Sequence, residues 1–182
     1  MAILKIARMG HPVLLQRAAP VPDPTAPEIR RLVADMIETM EDATGAGLAA
    51  PQVHVPLRLF VFRVAEGRGS GEPDDRPVGN TVVINPEIEP LGDDVRLRWE
   101  GCLSLPGLRA VVGRHWRIRY RGVDTDGAPV GGEVSGFHAG VVQHEYDPLD
   151  GILYPMRMSD FRLFGFTEEL ARAEAQATGA AA

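Results

Sequence analysis

The stretch Gln143-His144-Glu145-Tyr146-Asp147-Pro148 constrains this chain more than any other. It has the spacing of the H-E-x-x-H helix of metallohydrolases. There, two histidines one turn apart bind a metal, and the glutamate beside the first acts as general base on metal-bound water. A chain with this pattern is built around one helix whose functional face meets a cavity. Here the first histidine and the glutamate are present, but the second histidine position holds Pro148.

The rest of the chain suits a single domain with a sizeable core: 182 residues, 45% of them hydrophobic. The formal charge is −6, from 19 Lys+Arg against 25 Asp+Glu, with no long block of one sign. A nucleic-acid footprint would be basic and clustered, so sequence-specific nucleic-acid binding is excluded as the main function. The first residues are too interrupted for a signal peptide, and no apolar run reaches membrane-spanning length. Cys102 is the only cysteine, which rules out an internal disulfide.

Thr25-x-x-Glu28 reads as a capping box opening a helix, followed by an apolar stripe of Ile29, Leu32, Val33, Met36, Ile37 and Met40 at helical spacing. Strands are expected at 57–64, 81–84, 95–99, 108–112 and 116–123, with Asp124-Thr-Asp-Gly127 as a hairpin turn. Residues 66–77 read as a flexible surface loop. A helix over about 136–149 carries the central motif, with Gly151 placed to end it. A last helix starts at Thr167 and fades into a frayed tail. The pattern predicts an α+β fold: antiparallel strands packed around the motif helix, with an N-terminal and a C-terminal helix.

Three segments carry the chemistry. Gly45-Ala-Gly-Leu-Ala-Ala-Pro-Gln52 offers close backbone approach and ends on an amide side chain. Glu100-Gly-Cys-Leu-Ser-Leu-Pro106 follows a strand and could present a thiol. The third is the helix of His144 and Glu145. Singly these are weak, with bland readings as a tight connection, a buried cysteine and a surface pair. Together, in order and spacing, they resemble the three signature motifs of peptide deformylases. Arg8-Met-Gly-His-Pro-Val-Leu14 and Gly107-Leu-Arg109 agree with that resemblance. It covers residues 1–169 as one domain, leaving 170–182 as the helix end and tail.

The resemblance implies a cytoplasmic hydrolase that removes the formyl group from formyl-methionine on nascent polypeptides. It implies one divalent metal, Fe(II) in the family, with Ni, Co or Zn as alternatives. Cys102 and His144 fall on metal-ligand positions, and Glu145 falls on the catalytic base. The Gln52 amide and the Leu103 backbone N–H fall on the donors that hold the oxyanion. Gly47 and Arg109 match substrate-contacting positions, and Val141 borders the methionine pocket. The partners implied are nascent formyl-methionyl peptides, with the ribosome as a candidate and no membrane.

Pro148 sets this chain apart. It leaves two protein donors where catalytic sites of this kind have three plus water. Inside a helix a proline costs about 3 kcal/mol and pushes the residue before it, here Asp147, out of helical geometry; the cost falls if the helix ends there. Asp147 is the nearest possible replacement donor, roughly 60° around the helix from His144, and His138 is about 120° away. Sequence does not place His11, His54 or His115. Gly140, where relatives commonly carry a larger and often basic residue, weakens the same helix by roughly 1 kcal/mol against alanine. The leading expectation is an impaired deformylase-type enzyme. The alternative is a catalytically silent protein that binds formyl-methionyl N-termini; a thermolysin-like protease fits poorly with the Cys102 motif.

Overall fold

In the computed structural model, which describes residues 2–177, two antiparallel sheets enclose one helix. The strands are β1 (Gly47–Ala49), β2 (Leu59–Val64), β3 (Val78–Pro90), β4 (Val95–Cys102), β5 (Leu105–His115), β6 (Arg117–Val123), β7 (Pro129–Ser135) and β8 (Phe164–Phe166). The helices are α1 (Pro27–Asp42), α2 (Gly136–Tyr146) and α3 (Thr167–Ala177). One sheet has the order β1-β2-β3-β6-β7 and the other β4-β5-β8. The α+β arrangement around the motif helix is therefore as expected; the tail expected to fray from Gly179 onward lies outside the described residues.

Strand β2 organises the core because both of its faces are buried. Its period-two alternation sends Phe60 and Phe62 toward Ala139 and Val142 of α2, and Leu59 and Val61 toward α1. Of the predicted stripe on α1, Ile29, Val33, Met36 and Met40 are buried, and Leu32 and Ile37 are partly buried beside them. Each such large side chain contributes about 1.5–3 kcal/mol when taken out of water.

Three expectations need correction. The capping box does not form: α1 starts at Pro27 with Ala26 as cap residue and no side-chain cap bond, while Thr25 turns back to Asp23. Proline is pre-organised for the first helical position, and that preference sets the start. The loop at 66–77 is not merely surface: Asp75 is buried, and its carboxylate accepts the backbone N–H groups of Phe137 and His138 at 2.9 Å each and of Ser70 at 2.6 Å. Burial pushes the Asp75 carboxyl up, but these amide bonds prevail and hold it below its ordinary value.

The third correction concerns Pro148. The α-helix stops at Tyr146, and residues Asp147–Asp150 continue as a 3-10 turn closed by Gly151 at φ 74°. Asp147 is not driven from helical geometry: its φ is −53° and ψ −48°, and its N–H still reaches the Gln143 carbonyl. Because the α-helix ends just before it, Pro148 occupies an early position of a new turn, where its missing N–H costs little.

Candidate active site

The three motif segments meet around one cavity of about 710 Å³. The stretch from Gly45 to Gln52 forms one wall, β4 with the turn after Cys102 a second, and α2 the floor. The N-terminal segment ties the first two together, since Ala7 N–H donates to the Gln52 carbonyl at 2.7 Å and Met9 N–H to the Ser104 carbonyl at 2.9 Å.

Gln52 is held at both ends of its amide. Its Oε1 accepts from Ala49 N–H at 2.8 Å, while Nε2 donates to Ser104 Oγ at 3.1 Å and to Cys102 Sγ at 3.3 Å. His144 Nδ1 lies 2.7 Å from Glu100 Oε2, and Cys102 lines the same cavity close enough to act on the imidazole charge. Burial pushes the His144 imidazole down, but Cys102 and Glu100 push it up and prevail, leaving it well above the usual histidine range.

Behind His144 runs a buried ion network. Arg114 grips Glu100 through two bonds of 2.8 and 2.9 Å and reaches Asp147 at 2.7 Å. Arg157 then takes both oxygens of Asp147, at 2.8 and 2.6 Å. Burial raises the Glu100 carboxyl, but the Arg114 and His144 bonds outweigh it and bring it to about 2. Arg114 is raised in turn: burial alone would lower it, and Glu100 and Asp147 reverse that.

Glu145 is the opposite case. It is buried, its Oε2 has no partner among the described residues, and burial pushes its carboxyl up to about 7 despite the nearby His144. A carboxylate poised near neutrality inside a cavity suits proton transfer. Gly47 allows this placement, because a methyl at 47 would overlap the Glu145 carboxylate.

The other sequence candidates are also at the cavity. Leu103 lies in the turn between Cys102 and Ser104, Val141 lines the α2 side, and Arg109 stands at the rim with its guanidinium 5.3 Å from the Trp99 ring centre. The possible replacement donors are not available. Asp147 is held by Arg114 and Arg157, and His138 Nε2 lies 3.3 Å from the Tyr120 hydroxyl. His11 and His54 pack edge to face with each other, and His115 faces a separate cavity.

Among the described residues no group of three or more His, Cys, Asp or Glu side chains is placed to hold a metal ion. Cys102 and His144 line the same cavity, and Pro148 brings no donor atom. The residues present do not fit a three-donor metal centre.

Sequence reasoning missed Glu100, Arg114 and Tyr154. Tyr154 stacks on His144 with ring centres 6.2 Å apart, and its hydroxyl is buried without a partner. Glu100 was within reach of the sequence, because strand alternation puts residues 100 and 102 on one face. Arg114 was not, since its role depends on the pairing of β4 with β5.

The sequence profile described as "Polypeptide deformylase" matches residues 3–163. The chain belongs to the polypeptide deformylase family. Its hydrolase class follows from relatives at about this level of identity. "Peptide deformylase 2" of Ralstonia nicotianae is 52% identical over 168 residues, covering 92% of this chain and 94% of the relative. "Peptide deformylase 1" of Xanthomonas campestris pv. campestris is 51% identical over 170 residues, covering 92% and 97%. Among solved structures, a peptide deformylase of Ehrlichia chaffeensis in complex with actinonin superposes with a TM-score of 0.81 at 33% identity, covering 89% of this chain and 92% of that one. The Thermotoga maritima enzyme gives 0.77 at 37% identity, covering 87% and 99%. The family is metal-dependent. Among the described residues, no helix is long and apolar enough to cross a membrane.

Proposed function

We propose that residues 1–169 form one deformylase-like domain that hydrolyses the N-formyl group of formyl-methionyl nascent chains in the cytoplasm. We further propose that the reaction is impaired because Pro148 stands in place of a metal-ligating histidine. The observation that carries the reading is the buried, unpartnered Glu145 carboxylate, held near neutrality in the cavity that also receives Gln52 and Cys102.

In this reading the formyl oxygen takes the hydrogen bonds of Gln52 Nε2 and the Leu103 N–H, which stabilise the charge that develops as the carbon becomes tetrahedral. Glu145 takes a proton from the attacking water and returns it to the leaving amine. Gly47 and Arg109 hold the peptide, and Val141 borders the first side chain. Cys102 and His144 are the two donors left for a divalent ion, iron by family resemblance. Two donors favour weak occupancy.

The second reading, a silent binder of formylated N-termini, is favoured by the absence of a third donor among the described residues. Turnover of a formyl-Met-Ala-Ser peptide, followed with and without excess Ni(II), separates the two. Slow hydrolysis that rises with added metal supports the enzyme. Binding without turnover at any metal concentration supports the binder, and neither binding nor turnover defeats both.

A further inference from the structure

A second cavity, of about 300 Å³, adjoins the first and shares with it Arg68, Arg98, Trp99 and Phe137. The proposed formyl chemistry does not use it. Four arginines line it, Arg68, Arg96, Arg98 and Arg114, in a chain whose formal charge is −6. Such a concentration of one sign in a concave site attracts anions.

The four differ in what they already hold. Arg114 is fully engaged by Glu100 and Asp147. Arg96 pairs with Asp94 at 2.9 Å and lies over Trp116, its guanidinium carbon 3.7 Å from the ring centre. Arg98 has only long bonds, 3.3 and 3.5 Å, from Nη1 to two helix carbonyls, and its Nη2 has no hydrogen bond among the described residues. With 23% of its side chain exposed, it can be reached from solvent. Arg68 is exposed and makes no side-chain hydrogen bond or ion pair among the described residues.

Arg68 and Arg98 share one support. Their guanidinium carbons lie 4.6 Å and 5.1 Å from the centre of the Phe137 ring, so two like charges meet at one aromatic side chain. Burial lowers the Arg98 pKa, and Arg114 and Arg68 add to that against Glu100 and Asp75. The acids facing this corner are engaged elsewhere: Glu100 by Arg114 and His144, Asp75 by backbone amides, and Asp94 by Arg96. The cavity also takes in His115, whose buried Nδ1 has no partner among the described residues.

We propose that this second cavity is an oxyanion site that takes a phosphoryl group, as free phosphate or a phosphomonoester, between Arg68 and Arg98. A dianionic phosphoryl group has oxygens enough to meet both planar forks at once, whereas a carboxylate is matched by one. Arg96, fixed on Trp116, adds a third positive charge at the border. The site stands independently of the formyl-peptide reading.

The test is NMR of the two tryptophan indole N–H groups as inorganic phosphate replaces chloride at constant ionic strength. Trp116 lines the second cavity alone, while Trp99 lines both. The Trp116 signal is expected to shift and saturate with a Kd on the order of 1 mM, the scale of two charged hydrogen bonds. Arg68→Met and Arg98→Met should each weaken binding at least about 10-fold. Arg98 also touches helix carbonyls; Arg68 holds no other side chain by a polar bond, so its variant tests the site without disturbing α2. AMP bound more tightly than inorganic phosphate assigns the source to a nucleotide, and equal binding assigns it to phosphate itself; both support the site. No saturable shift, a shift of Trp99 alone, or binding that survives both substitutions overturns the proposal.

Discussion

The two ends of α2 are both weak in sequence and are held in different ways. The N-terminal half carries Gly136 and Gly140 and is fixed by groups from outside the helix: the Asp75 carboxylate on its first amides and the Arg98 guanidinium against Gly140. The C-terminal end is interrupted by Pro148 and is fixed by a buried ion network that grips Asp147 from two arginines. One end lacks side chains and the other lacks a backbone donor, yet both stay in place. The helix is positioned by its surroundings more than by its own propensity. In the proposed reading the cost of Pro148 is therefore a metal donor, since the backbone around it keeps helical geometry.

That contrast can be broken at either end. The largest effect is expected from Pro148→His, which restores a donor on a turn already in position. Formyl-peptide kcat/KM in excess Ni(II) should rise at least about 100-fold, since changes to groups that merely support ligands already cost 10–100-fold. Elemental analysis should rise toward one metal per chain. An unchanged rate with intact fold would mean that the turn itself is out of place. Arg114→Met comes next: it removes the buried cation shared by Glu100 and Asp147, leaving them only His144 and Arg157 as partners, and should cost about 3 kcal/mol in urea unfolding.

At the other end Asp75→Asn should cost about 1–2 kcal/mol at pH 7, the scale of a lost helix cap. Its pH dependence has a definite sign. The native carboxyl is held below its ordinary value of 3.8, so its contribution is full above that pH and is lost as the pH falls through the depressed native value. The difference between wild type and variant should shrink in acid; a constant difference would assign the effect to packing. Gly140→Ala should be the smallest, within about 1 kcal/mol, as the helix gain is offset by moving Arg98.

Much of this was legible in the sequence. The α1 stripe and the alternation of Phe60 and Phe62 follow from period alone. Gln52, Cys102, His144 and Glu145 are found through motif spacing, and the structure brings all four to one cavity. What escaped was long-range. Asp75 lies 62 residues before Phe137, in a stretch whose composition reads as loop. Arg114 joins two carboxylates from different elements, and no local pattern marks such a residue. The capping box failed for a local reason, because Pro27 two residues on defines the helix start better than Thr25. Asp147 kept its helical geometry because Arg114 and Arg157 outweigh the local preference of a residue before proline.

The ion network behind His144 has a consequence at the level of the gene. Proline and histidine codons that end in a pyrimidine differ at their middle base alone. Arg114, Glu100, Asp147 and Arg157 anchor the turn without using residue 148, so under the proposed reading a third donor there needs no compensating change in this network. From such codons a single transversion separates proline from histidine at this position, and the anchored turn would accept either.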